Sequence, residues 1–151
     1  MNRSHLNNFS QFFIAAALLL TALFFQITVG DILNIRLGFI LAALLAAAFF
    51  LNLEELILLV LFSAFVLNWQ PGFSPEIIIF SIIPIAAYFI KTLVPLQPFL
   101  GNLGFIFIFT MLFYLIFSPR FLINRPGLLI ADILASLVYG ATAFWIMKTQ
   151  S

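Results

Sequence analysis

Charged residues and cysteine are what this sequence lacks most. Only 7% of its 151 residues are charged, whereas 65% are hydrophobic, and soluble proteins carry about 25% charged residues. Six basic and five acidic side chains are too few to cover the surface of a soluble domain of this length. A surface that faces lipid needs no such cover, because helices in a bilayer can be apolar on every side. The composition therefore predicts a membrane protein.

The missing side chains also exclude several kinds of site. Without cysteine there is no disulfide, no thiolate metal site and no cysteine nucleophile. The one histidine, His5, is near the amino terminus, so a metal site would have to be built from carboxylates. Asp132 and Ser136, four residues apart, predict a local hydrogen bond and not a catalytic dyad. We therefore expect no enzyme activity, no metal and no cofactor. The net charge of +1 provides no basic patch of the kind that binds nucleic acid, so we expect no nucleic-acid partner.

Six apolar segments have about the length of a membrane-spanning helix, which takes about 20 residues. The predicted spans are near residues 12–29, 34–51, 53–68, 76–94, 100–117 and 128–147. Pro75 predicts the start of the fourth span, and Lys91 lies close enough to its end to extend to the membrane interface. The second and third share one apolar stretch, Ile32–Trp69, which the polar segment Asn52–Glu55 divides. A single long helix in this stretch would reduce the count to five. The predicted fold is a single all-α integral membrane domain over residues 1–151, with six spanning helices and with five as the alternative.

The basic residues give no orientation for these spans. Under the six-span model three of them fall on each side of the membrane, namely Arg3, Lys91 and Lys148 on one side and Arg36, Arg120 and Arg125 on the other. The positive-inside rule needs an excess on one side. Charge alone therefore leaves the orientation open.

Two polar residues within the spans are functional candidates, because burying a polar group in lipid is costly. Asp132 lies near the start of the last span, where the helix dipole favours a carboxylate. It is either a helix-start residue paired with Arg120 or Arg125, which we favour, or a partner-binding or ion-relay group. Gln26 is predicted to lie deep in the first span, where it needs a hydrogen-bond partner on another helix. For Gln26 we favour a structural hydrogen bond over a substrate contact.

Small residues recur at helical spacing in two of the spans. The candidate residues for helix packing or partner contact are Gly38, Ala42 and Ala46 in the second span and Ala131, Ala135, Ser136 and Gly140 in the last. Such stripes let helices approach closely, and close packing drives helix association in membranes. Packing within the chain is the favoured interpretation, and contact with another membrane protein is the alternative.

Several short segments follow one another in an order typical of a known family. They are Leu23-Phe24-Phe25-Gln26 in the first span, Val60–Asn68 followed by Gln70-Pro71-Gly72-Phe73, Ala86-Ala87-Tyr88 in the fourth span, and Asp132–Leu137 with Phe144–Lys148 in the last. Together with the chain length, this order resembles the rod-shape-determining MreD family of small bacterial inner-membrane proteins. Two positions differ, because Asn68 stands where the family often has aspartate and Asn34-Ile35-Arg36 where it often has proline.

The resemblance implies a non-enzymatic scaffold in the bacterial inner membrane, with both termini in the cytoplasm. Such a protein would bind a single-span MreC-like partner and support cell shape and sidewall peptidoglycan synthesis. The resemblance also implies a six-helix arrangement similar to the substrate-binding subunits of energy-coupling-factor transporters. The alternative function is therefore that of a substrate-binding subunit of a vitamin-type transporter, which would bind a small-molecule ligand.

Overall fold

The computed structural model describes residues 3–28, 38–67, 75–93, 97–117 and 119–149. They form seven helices: α1 (Arg3–Thr28), α2 (Gly38–Phe50), α3 (Leu53–Leu67), α4 (Pro75–Ile90), α5 (Pro98–Phe117), α6 (Pro119–Asn124) and α7 (Pro126–Thr149). The predicted all-helical fold is confirmed for this part of the chain. Among the described residues, three helices are long and apolar enough to cross a membrane: α1 from Phe9 onwards, α5 and α7.

The apolar stretch Ile32–Trp69, for which the sequence predicts two helices with one as the alternative, is interrupted after Phe50. Helix α2 ends at Phe50, and α3 begins at Leu53. The backbone N–H of Asn52 donates to Oε2 of Glu55 at 3.1 Å, which is one of the two bonds of a helix capping box. The described part of Ile32–Trp69 is therefore two helices and not one long one. The turn predicted for residues 68–73 and the start of the second predicted span lie outside the described residues.

The segment before the last helix is more ordered than the sequence predicts. The predicted spans leave residues 118–127 as a connection, but Pro119–Asn124 forms the short helix α6 and α7 already begins at Pro126. Proline is favoured at the first position of a helix, where its missing N–H costs nothing. Pro119 and Pro126 therefore start two helices in a segment that was predicted only as the connection between the last two spans.

Contacts along the helices fix the direction in which four of them run. Gly38 at the start of α2 lies against Asp132 near the start of α7, and the rings of Phe50 and Phe144 near the two ends are 4.8 Å apart. Helices α2 and α7 are therefore parallel. Helix α5 is antiparallel to α7, because Tyr114 near its end contacts Asp132 and Asn102 near its start contacts Gly140.

Helix α1 runs antiparallel to α2. The ring of Phe25 is 6.0 Å from that of Phe39 at the start of α2, while Leu18 packs on the cluster that contains Ala46 near its end. Helix α3 begins just after α2 ends, and Lys91, which follows α4, donates to the carbonyl of Ala48. One end of the bundle, which we call the terminal end, thus contains the starts of α1, α3 and α5 and the ends of α2, α4 and α7.

Helix α2 is the centre of the bundle. All of its residues from Gly38 to Ala48 are buried, and it contacts five other helices, α1, α3, α4, α5 and α7. Its 13 residues have a length of about 20 Å at 1.5 Å per residue. That is shorter than a hydrocarbon core of about 30 Å. The described part of the second predicted span is therefore enclosed mainly by other helices of the protein.

Large apolar side chains cover the outside of the bundle, while polar side chains are found inside it. Phe65 is 73% exposed, Val138 68% and Phe24 64%. The buried polar residues of the described part are Ser63, Asn102, Thr110, Asp132 and Ser136. Soluble monomers rarely expose large continuous apolar surfaces. This distribution suits a lipid environment.

Candidate functional site

The buried carboxylate of Asp132 is the centre of the candidate site. Its side chain is 1% exposed, and both of its oxygens accept hydrogen bonds. The hydroxyl of Tyr114 on α5 donates to Oδ2, and Oγ of Ser136, one turn further along α7, donates to Oδ1 at 3.4 Å. The predicted local bond between Asp132 and Ser136 is therefore present. Neither of these partners is Arg120 or Arg125, which we had expected beside the carboxylate.

Gly38 of α2 completes this site by having no side chain. A Cβ on Gly38 would overlap with Oδ1 of Asp132 and Oγ of Ser136, and it would lie 3.1 Å from Cγ of Asp132. Helices α2 and α7 approach each other closely here because glycine leaves room for the carboxylate. We call Gly38, Tyr114, Asp132 and Ser136 the Asp132 cluster.

A second close approach lies two turns further along α7, at Gly140. A Cβ there would overlap with Cδ1 of Ile106 on α5 and lie 3.4 Å from Cβ of Ala42 on α2. The carbonyl of Gly140 accepts a hydrogen bond from Nδ2 of Asn102 at 3.2 Å. Three helices therefore meet at this glycine.

The predicted small-residue stripes lie mainly inside the chain. Gly38 and Ala42 face Ser136 and Gly140, and Ala46 packs with Ala143 and Phe144. The outer face of α7 differs, because Ala131 is exposed and Ala135 is half-buried. Of the predicted contact residues, Ala131 and Ala135 are thus the ones that reach the outside of the bundle.

Helix α5 contributes buried polar groups that are not among the predicted site residues. Asn102, Thr110 and Tyr114 are buried on this helix, spaced by eight and then four residues, which places them on one face. Oδ1 of Asn102 and Oγ1 of Thr110 are buried and have no hydrogen-bond partner in the described part. Polar residues in an otherwise apolar span are the feature of the sequence from which these buried groups could have been predicted.

Two other polar residues occupy places that differ from the prediction. Gln26 is half-buried and lies in the last turn of α1, which ends at Thr28. Lys91 was expected to reach out towards the membrane interface. Instead its ammonium donates to the carbonyl of Ala48 near the end of α2 and lies 4.1 Å above the ring of Tyr88. A lysine at this point satisfies a backbone carbonyl that the end of α2 leaves without a helical partner.

The Asp132 cluster has the chemistry of a structural hydrogen-bond network. Both carboxylate oxygens accept hydrogen bonds, one from the hydroxyl of Tyr114 and one from the hydroxyl of Ser136. Within the described ranges, no three His, Cys, Asp or Glu side chains form a group that could hold a metal ion. In a medium without water such a network fixes the register of α2, α5 and α7, since separating these helices would leave polar groups unpaired.

Comparison with known proteins identifies no family for this chain. No family model matches the chain, and neither a curated protein nor a solved structure matches it. The resemblance to the MreD family therefore stays a prediction based on the residues quoted above.

Proposed function

We propose that this protein is a six-span membrane protein with both termini on one side, and that it is a non-enzymatic scaffold of the MreD type. The observation that carries the proposal is the packed centre of the bundle. Helix α2, which is buried from Gly38 to Ala48, packs against α5 and α7 through the close contacts at Gly38, Asp132 and Gly140. Such a centre suits a rigid body that presents an apolar outer surface to lipid and to other membrane proteins.

The number of spans is supported by the alternation of helix ends. The terminal end contains the starts of α1, α3 and α5 and the ends of α2, α4 and α7. Apart from the six-residue helix α6, successive helices therefore begin and end there in turn. Helices α2, α3 and α4 are shorter than a typical span, with 13, 15 and 16 residues. The bilayer can become thinner around short helices at modest cost, and α2 touches little lipid because the other helices surround it.

In the MreD interpretation, the protein binds a single-span MreC-like partner in the bacterial inner membrane and supports sidewall peptidoglycan synthesis. The outer face of α7 around Ala131 is the surface we assign to this contact, because the other predicted small residues are mostly enclosed. Exposed alanine on a helix allows a second helix to approach closely.

Co-purification with the MreC-like protein of the same genome tests this function. We expect the wild-type chain to retain the partner in mild detergent and Ala131→Leu to retain less of it. Thr142→Leu, at another exposed position of α7, is the matched control and should retain the partner fully. Depletion of the protein should convert rod-shaped cells to spheres. Rods that persist after depletion, together with no retained partner, would rule out the scaffold function.

A substrate-binding subunit of a vitamin-type transporter is the second candidate. It is favoured by one observation, the two buried polar atoms without partners on α5, Oδ1 of Asn102 and Oγ1 of Thr110. Buried polar groups without protein partners are often satisfied by water or ligand. A rise of the melting temperature with a water-soluble vitamin, lost in Asn102→Leu, would favour the transporter over the scaffold.

A further inference from the structure

Helix α6 is accompanied by two arginines whose charge is not neutralised within the described part of the chain. Arg120 lies in its first turn, Arg125 directly follows its last residue, and both side chains are exposed. Neither side chain makes an ion pair or a hydrogen bond with the described residues. The sequence favours Asp132 as their partner, but that carboxylate is 1% exposed and accepts its hydrogen bonds from Tyr114 and Ser136. Both positive charges therefore remain open to a partner outside the bundle.

The helices beside α6 supply no other acidic group. Helix α6 packs mainly against α5 and α7, which precede and follow it in the chain. Helix α5 contains no acidic residue, and Asp132 is the only one in α7. The first turn of α7, which begins directly after Arg125, contains none. Within the described ranges, the surface formed by α6 and the adjoining ends of α5 and α7 is therefore positive and complements an anion.

An apolar side chain lies between the two arginines in the chain. Ile123 is 81% exposed, so most of its surface has no protein contact. Leu115 and Ile116 in the last turn of α5 and Ile130 in α7 are exposed as well. An acidic protein segment would neutralise the arginines but would leave this apolar surface uncovered. A phospholipid offers both an anionic headgroup and a hydrocarbon chain, so it suits the surface better.

The position of α6 in the bundle also suits a membrane surface. It joins the end of α5 to the start of α7, two of the helices that are long and apolar enough to cross a membrane. A connection between two spanning helices lies near the boundary between hydrocarbon and water. Arginine can bury its aliphatic stem in apolar surroundings while its guanidinium reaches polar ones. It can also bind a phosphate through two parallel N–H bonds.

We propose that α6 and the residue after it bind anionic phospholipid, with Arg120 and Arg125 at the headgroup phosphates and Ile123 in the acyl-chain region. The proposal rests on the membrane location proposed above but not on the scaffold function. Basic residues beside membrane helices attract anionic lipids. Tyr114 and Asp132, which form a hydrogen bond, lie on the two helices that α6 connects. Lipid bound at α6 would therefore stabilise the side of the bundle that contains the Asp132 cluster.

The test measures the melting temperature of the purified full chain in detergent during titration with phosphatidylglycerol. Phosphatidylcholine with the same acyl chains provides a headgroup without net charge. Glycerol phosphate reports the contribution of a free phosphate, and polyglutamate that of an acidic protein segment. We expect phosphatidylglycerol to stabilise the protein most, phosphatidylcholine less, and the two soluble anions not at all.

Substitution of each arginine tests where the charge acts. Arg120→Gln and Arg125→Gln should each weaken the apparent affinity for phosphatidylglycerol about fivefold, which corresponds to the loss of one basic residue at a membrane surface. Without lipid both variants should melt like the wild-type chain, because both side chains are exposed and make no ion pair in the described part. Ile123→Ser should weaken binding of both phospholipids. Lys148→Gln removes one charge at the terminal end and should leave the difference between the two phospholipids unchanged.

Three results would overturn the proposal. The first is an equal shift with the two phospholipids that the arginine substitutions leave unaltered. The second is a full shift with glycerol phosphate or polyglutamate alone, which would assign the arginines to a free phosphate or to an acidic protein segment. The third is an equal loss of phosphatidylglycerol preference in Lys148→Gln and in the arginine variants. Recovery of the protein in carbonate-washed membranes in the same preparation would show that such a failure concerns α6 and not the membrane location.

Discussion

The carboxylate of Asp132 occupies the space in which a side chain on Gly38 would begin. This relationship joins a helix near the start of the chain to the last helix, and Ser136 lies on the same side of the glycine. The hydrogen bond from Tyr114 holds the other carboxylate oxygen, so the carboxylate cannot turn away without losing a buried partner. The Asp132 cluster therefore determines how closely α2 and α7 can approach.

Replacing Gly38 by alanine should destabilise the protein by about 1–3 kcal/mol, the usual cost of overpacking a buried site. Gly104→Ala is the matched control, because a Cβ at Gly104 would meet nothing within 4 Å. Alanine has the higher helix propensity, so the control should melt at the same temperature or slightly higher. Thermal unfolding in detergent measures both variants. Equal melting temperatures for the two would show that Gly38 is not a close contact.

Replacing Gly140 by alanine should also lower stability, and a second substitution should restore part of it. The obstructing atom is Cδ1 of Ile106, which valine lacks. Ile106→Val alone should cost about 0.5–1.5 kcal/mol, whereas in the Gly140→Ala background it should cost less or increase stability. A double-mutant cycle measures this coupling, for which residues in contact typically give about 0.5–3 kcal/mol. Additive effects would mean that Ile106 and Gly140 do not touch.

Replacing Tyr114 by phenylalanine should destabilise the protein by about 1–3 kcal/mol, because the buried carboxylate of Asp132 loses a donor. Tyr88→Phe is the control, since the ring that remains still lies beneath Lys91. The difference between their melting temperatures isolates the hydroxyl of Tyr114. If Tyr88→Phe costs as much as Tyr114→Phe, the hydrogen bond to Asp132 contributes nothing specific.

The break between α2 and α3 offers a pair of adjacent glutamates for comparison. Glu55→Ala removes the side chain that accepts the backbone N–H of Asn52 and should cost about 0.5–2 kcal/mol, as capping residues do. Glu54→Ala removes the same charge from the same turn, so both variants lose a similar interaction with the helix dipole. Glu55→Ala should therefore melt at the lower temperature. The reverse order would be incompatible with the capping bond.

The sequence allowed several features of this fold to be predicted. The polar segment Asn52–Glu55 indicated the break between α2 and α3, because an apolar run of that length exceeds a bilayer. Proline at position 75 indicated the start of α4. The small residues from Gly38 to Ala46 indicated close helix packing. In each case a short local pattern was sufficient.

Other features depend on which helices become neighbours, which a single sequence does not reveal. Asp132 had nearby arginines in the sequence, yet its partner Tyr114 comes from the preceding long helix. Lys91 was expected to reach the interface, but the end of α2 lies close enough to take its ammonium. An apolar helix also looks the same in sequence whether lipid or protein surrounds it. The burial of α2 from Gly38 to Ala48 could therefore not be predicted.

The most direct test of the membrane arrangement uses the absence of cysteine from this chain. Single cysteines are introduced by Ser4→Cys, Asn52→Cys and Thr149→Cys, at the terminal end, and by Asn124→Cys on α6, at the opposite end. Intact and opened membrane vesicles are then treated with a membrane-impermeant thiol reagent. We expect Ser4→Cys, Asn52→Cys and Thr149→Cys to react from one side and Asn124→Cys from the other. Labelling of positions 4 and 149 from opposite sides, as five spans would give, or of position 52 from the side of position 124, would contradict the six-span arrangement.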